Sequence, residues 1–352
     1  MAAIMSQRGV TTHEVAQAMH IETQLLDDLI HGRTRLTADL ALQLEHTLGA
    51  TTQFWLRREK TYQTAIAHLV DNLDGREVDA WLKAIPAADM QSLRWIPACD
   101  TKSMLAYECL RFFGVSSVKA WHDEYADLEK SLSGQFHTSE TFASEREAVL
   151  AWLREAERAS GHLECSVWDP ARWRELLPSL RTLTREPDPK VFIPQLQTQC
   201  AAAGVAVVVV RAPRGCRASG AALHQARNRR LIALSSRHLV DDHMWFTFFH
   251  EAAHLLLHPA TPAIIDSDDE LSEQFEQEAS EAASNLLVPP AYQATMRQLR
   301  RNRWAVARFA KSIGVAPGIV VGQLQHIGVY GREQMNHLKR RYRWNGSILE
   351  RA

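Results

Sequence analysis

Residues that hold and serve a metal ion occur together in the run Phe246-Thr-Phe-Phe-His250-Glu251-Ala-Ala-His254-Leu-Leu-Leu-His258. Its apolar flanks, Trp245, Phe246, Phe248 and Phe249 before and Leu255 to Leu257 after, mark a buried helix. Side chains four apart share a helix face, so His250 and His254 can turn two imidazole nitrogens to one ion. Glu251 sits one step round, placed to reach a water and not the metal. Two histidines, a third ligand from elsewhere and one position kept for solvent make the coordination set of a zinc hydrolase. Zn2+ is therefore the expected cofactor.

The third ligand is sought downstream, in Glu276-Gln-Glu278-Ala279-Ser280-Glu281-Ala-Ala283-Ser-Asn285-Leu286-Leu287-Val-Pro289. Ala279, Ala283, Leu286 and Leu287 recur at helical spacing and define the inward face. At about 100° per residue Glu276 falls on that face, while Glu278, Glu281 and Asn285 fall opposite. A carboxylate on the buried side of a helix is costly unless paired or metal-bound. Glu276 is the better third ligand, with Glu278 as the alternative.

Taken together, Phe246 to His258, then Glu276-x-x-Ala-Ser and Leu286-Leu-Val-Pro289, resemble the ImmA/IrrE family of zinc-peptidase-like proteins. The resemblance implies His250, His254 and Glu276 as zinc ligands and Glu251 as general base. It also implies a narrow target, a single repressor-like regulator cut under stress or phage induction. This chain departs from the family pattern at Ala253, where the family has Gly, and at Ser280, where it has Asn. His258 reads as a helix-end residue or one supporting the ligands. His238 and His243 are candidates to stabilise an oxyanion, and spacing does not choose between them.

The metal run needs a scaffold, and the residues before it supply a short sheet. Val205 to Val210 is a β-branched run flanked by Gly204 and Pro213, which predicts a buried strand; Ser219 to Leu223 and Leu231 to Ser235 predict two more. An exposed edge of such a sheet would hold an extended substrate by strand addition. Asp266 to Glu281 carries eight acidic residues and no basic one, and reads as an acidic loop entering the Glu276 helix.

The N-terminal 66 residues predict a separate helical bundle. Thr11-x-x-Glu14 is a capping box opening a helix to Met19; a second helix runs from Thr23 to His31 and stops at Gly32; a third spans Thr37 to Leu48 and closes at Gly49. This is a helix-turn-helix layout. Leu40 through Phe54-Trp55-Leu56 resembles the Cro/repressor-type domains of HigA antitoxins, in which Phe-Trp-Leu closes the bundle. The candidate DNA contacts are Thr23 and Gln24 for base edges and Arg33 and Arg35 for phosphates. Asp27 and Asp28 on the same helix would repel phosphates, and residues 1 to 65 hold six Lys/Arg against seven Asp/Glu. A bundle kept for protein contacts or homodimerisation is the competing reading.

Four segments follow: a helix-turn-helix domain at 1–66, a helical linker at 67–189, a zinc-peptidase-like core at 190–290 and a basic helical region at 291–352. The linker's six tryptophans read as core, and its boundary falls near Arg185-Glu-Pro-Asp-Pro189. The last segment carries twelve Lys/Arg against Glu333 and Glu350, and residues 305–324 have the rhythm of another helix-turn-helix. Its cationic face suits nucleic acid or an acidic partner. The expected fold class is mainly α with a small α+β zinc-peptidase-like domain.

A formal net charge of −1 excludes a wholly polyanion-binding molecule. Five cysteines without C-x-x-C spacing suit free thiols, and no apolar run reaches the ~18 residues of a membrane span, so a cytoplasmic protein is expected. The expected partner is a repressor, antitoxin or toxin-like protein, with DNA a second candidate through the N-terminal head or the basic C-terminus. The rival function is a non-proteolytic toxin–antitoxin component or DNA-binding regulator whose zinc domain is structural or sensing. Glu251, which has no purpose in holding metal, favours the hydrolase.

Overall fold

A computed structural model describes residues 1–352 except 31–33, 35, 72–74, 126–142, 226–227, 259–262 and 266–272. Chain contacts divide into two compact units, 1–122 and 123–352.

The first unit is helical. Thr11 and Glu14 form the expected capping box at the start of Thr12–Ala18, with the Thr11 amide donating to Glu14 at 2.8 Å. His20, at a positive φ of 54°, turns the chain toward helix Thr23–Ile30. Ala38–Leu48 is capped by the Thr37 hydroxyl and ends at Gly49. Val15, Met19, Leu26, Leu44, Leu48 and Trp55 close a small core around these helices. The expected Phe-Trp-Leu closure is carried by Trp55, whose indole N–H donates to the Gly49 carbonyl at 3.0 Å; Phe54 points out, 41% exposed. Further along, Trp81, Phe113 and Trp121 pack edge to face.

The second unit is built on a four-stranded sheet of order β1-β3-β2-β4, where β1 is Val205–Val209, β2 Gly220–Gln225, β3 Arg229–Leu234 and β4 Ala263–Ile265. β1 and β3 are parallel; β2 runs antiparallel to β3 and β4. The strand expected from the β-branched run at Val205 and the two short candidates after it are present within two residues of their expected bounds, and β4, three residues long, had too little pattern to be read. Helix Asp241–Leu257, the ligand helix, buries Trp245, Phe248, Phe249 and Ala252 in the same core as Val205, Val207, Ile232 and Leu234. Each large apolar side chain so buried contributes about 2 kcal/mol. The helix begins before its apolar run, and Leu257, expected inside, is 46% exposed.

That core also takes Trp173 and Leu177 from helix Pro170–Leu180, and Val306, Ile319 and Leu324 from helices Arg303–Ile313 and Pro317–His326. The segments 190–290 and 291–352 therefore share one interior. Two corrections concern the C-terminal region. It is not wholly helical, because Tyr342–Asn345 (β5) and Ile348–Arg351 (β6) form an antiparallel hairpin around Gly346-Ser347, a two-residue turn signal. And the helix-turn-helix rhythm of 305–324 does yield two helices bent at 106°, but Ile319, Val320, Val321 and Leu324 bury the second one. In this packing it cannot enter a DNA groove. Among the described residues no single helix is long and apolar enough to cross a membrane.

Candidate metal centre

The ligand helix packs against helix Glu273–Leu287, the glutamate helix, and both carry small buried residues. Ala252 and Ala253 on one, and Ala279 and Ala283 on the other, are all buried. Their close approach brings together the three residues expected as ligands. His250 Nε2 lies 2.8 Å from Glu276 Oε2, His254 Nε2 lies 3.4 Å from Glu276 Oε1, and the two Nε2 atoms are 2.9 Å apart. Tetrahedral zinc with bonds of about 2.1 Å would set its ligand atoms about 3.4 Å apart, so small outward movements would seat the ion. Among the described residues, no other group of three or more His, Cys, Asp or Glu meets the same spacing.

Electrostatics suit the donor set. Burial lowers the pKa of His254, against the opposing pull of Glu276, and so favours the neutral imidazole whose lone pair binds metal. Burial works against the Glu276 carboxylate, but hydrogen bonds from both histidines outweigh it and hold its pKa down at about 2. The chemistry of two imidazoles and one carboxylate fits zinc. Glu278, the alternative ligand, is 44% exposed and reaches only to 3.9 Å from His258.

Glu251 is completely buried. Its side chain lies against the first residue of β2, where a Cβ on Gly220 would come within 2.5 Å of Glu251 Oε1 and equally close to Thr247. Only glycine lets the strand approach the helix that nearly. A carboxylate so deeply buried next to His250 is costly to desolvate, and its place there suits chemistry more than packing.

Supporting residues were only partly legible. Trp173, one of the tryptophans read as core, donates its indole N–H to the Ala252 carbonyl at 3.1 Å, between the two histidine ligands. Nothing in the sequence links residues 79 apart. The rings of His238 and His243 lie against each other at a tilt of 33°, centroids 4.3 Å apart, and line a small pocket with Ser219, Ser236 and Thr247. At the helix N-terminus Asp241 accepts from the Arg340 amide at 3.0 Å, and Asp242 pairs with Lys339 at 2.6 Å. Of the candidate DNA contacts, Thr23 is exposed with its hydroxyl 3.3 Å from His13 Nδ1. Arg33 and Arg35, and the side chain of Gln24, lie outside the described residues.

Comparison with known proteins agrees with this geometry. Residues 205–321 match the family model for the IrrE N-terminal-like domain, Peptidase_M78. That span runs from β1 into helix Pro317–His326 and contains every member of the metal cluster, which supports the ImmA/IrrE family for this part of the chain. Virulence-associated protein I of Dichelobacter nodosus is 29% identical over 59 residues, covering 17% of this chain and 55% of that protein.

Proposed function

We propose that the chain is a zinc-dependent endopeptidase of narrow specificity, which cuts a repressor or antitoxin-like regulator in a stress, phage or toxin–antitoxin setting. The convergence of His250, His254 and Glu276 beside a buried Glu251 carries this reading. These three side chains would hold the zinc. Bound there, it supplies Lewis acidity and a water acidified to a pKa of about 7. Glu251 takes the proton of the attacking water and delivers it to the departing amine. β4, an outer strand of the sheet, offers its edge for an extended peptide to add as a further strand.

The N-terminal bundle, read as a helix-turn-helix head, supplies targeting, either to DNA or to a repressor of similar fold. The resemblance of residues 40–56 to antitoxin domains supports that role.

Glu251→Gln separates the peptidase from a regulator with a structural zinc. Parent and variant are both expected to bind one zinc per chain, and the variant to lose cleavage of a repressor-like protein by at least about a hundredfold. Cleavage at the parent's rate would sink the hydrolase reading.

A further inference from the structure

Two polar contacts cross between the ligand helix and the glutamate helix, and neither joins two members of the His250, His254 and Glu276 cluster. His258, the C-cap of the ligand helix, is buried, and its Nε2 lies 3.2 Å from the carbonyl oxygen of Phe275. Its ring also stacks on the Phe275 ring, centroids 4.2 Å apart. Phe275 immediately precedes Glu276. In return Ser280, one turn after Glu276, places its Oγ 3.2 Å from His250 Nδ1.

We propose that His258 and Ser280 are positioning residues that form a reciprocal clasp, His258 setting the place of Glu276 and Ser280 the orientation of His250. The inference rests on the zinc reading above. An imidazole offers a metal the nitrogen that carries no proton, so a hydrogen bond from Nδ1–H to the Ser280 hydroxyl leaves Nε2 as the donor. His254 has no such partner, since its Nδ1 is buried without a hydrogen bond among the described residues, and its orientation comes from packing. On the other side, Glu276 is the least buried ligand, with its side chain 31% exposed, and it stands in the first turn of its helix. A helix start held only by its own backbone frays. The His258 N–H gives the Phe275 carbonyl a second donor from the neighbouring helix, and the stacked rings resist sliding.

The test compares His258→Ala, His258→Gln, Ser280→Ala and Ser280→Thr in the full chain. The readouts are zinc affinity by competition with a chromophoric chelator and the visible spectrum of the Co2+-substituted protein. Each alanine variant is expected to bind zinc ten- to a hundredfold more weakly and to alter the Co2+ band positions and intensities. Gln, with an amide N–H near the place of Nε2, and Thr, with the hydroxyl retained, are expected to recover most of the affinity. Native affinity and an unchanged spectrum in both alanine variants would overturn the clasp. If an alanine variant does not fold, the conservative variants decide: folded protein with affinity no better than a tenth of the parent's overturns it. A parent chain that binds no zinc would instead overturn the metal reading itself.

Discussion

At the scale of single residues, Glu251 and its neighbour are set by sterics as much as by charge. Glu251 is buried against Gly220 at a distance no side chain tolerates. Gly220→Ala must push the carboxylate aside or lift β2 off the helix. The expected outcome is zinc content unchanged, cleavage reduced at least tenfold and stability lowered by about 1–3 kcal/mol. Zinc analysis, kinetics and thermal unfolding of one preparation check it; unimpaired kinetics would show that the Glu251 position is not critical. Here a tryptophan 79 residues away and a glycine at a strand start matter as much as the His-Glu-x-x-His run, and only the run has a signature. Trp173 and Gly220 carry none, because what they do depends on which backbone lies opposite them.

At the scale of elements, the start of the ligand helix is locked to the C-terminal region. Gly318 and Gly322 lie so close to Asp241 and Asp242 that a Cβ on either would clash with a carboxylate, while Lys339, Arg340 and Tyr342 close the other side. Burial, with Asp242 next to it, raises the pKa of Asp241 to about 7, and the Arg340 amide opposes this only in part. The native state thus holds a proton here that the unfolded chain loses near pH 4. Its stabilising contribution is complete below that value and is lost as pH rises through about 7. Asp241→Asn removes the dependence. The stability difference between parent and variant, from denaturant unfolding at pH 4.5 and pH 8, is therefore expected to change by roughly 2–4 kcal/mol in favour of the variant at the higher pH. A difference that stays constant across that range would contradict the burial account. The same lock keeps the second helix of the 305–324 segment in the core, so that helix does not serve as a groove-reading helix in this packing.

At the scale of the whole molecule, basic charge gathers in the C-terminal part of the second unit. Between residues 291 and 332 there is no acidic residue, and Arg297, Arg300, Arg301, Arg303, Arg308 and Lys311 are all exposed. Trp304, Arg308 and Lys311 stand at i, i+4 and i+7 on one outward helix face, with Trp304 64% exposed and Arg303 stacked over its ring at 4.3 Å. If nucleic acid is a partner, binding should weaken by more than tenfold between 50 and 200 mM salt. Loss of binding in Arg308→Ala/Lys311→Ala, with Arg33→Ala/Arg35→Ala unaffected, would locate it on the C-terminal face; the converse would locate it on the head. No shift by either unit in low salt would leave a protein partner as the sole reading.

Short-range rules acting within one helix or one turn made several features legible in the sequence alone. The paired histidines, the inward side of Glu276, the capping box at Thr11 and the Val205 strand all follow from periodicities of 3.6 or 2, which the chain carries locally. Tertiary structure alone decided what those elements meet. It placed Trp173 under the ligand helix, β4 at the sheet's edge, the C-terminal helices in the core, and His258 and Ser280 across from the ligands they hold. Such pairings depend on which surfaces fit together after collapse, and no local period encodes that fit.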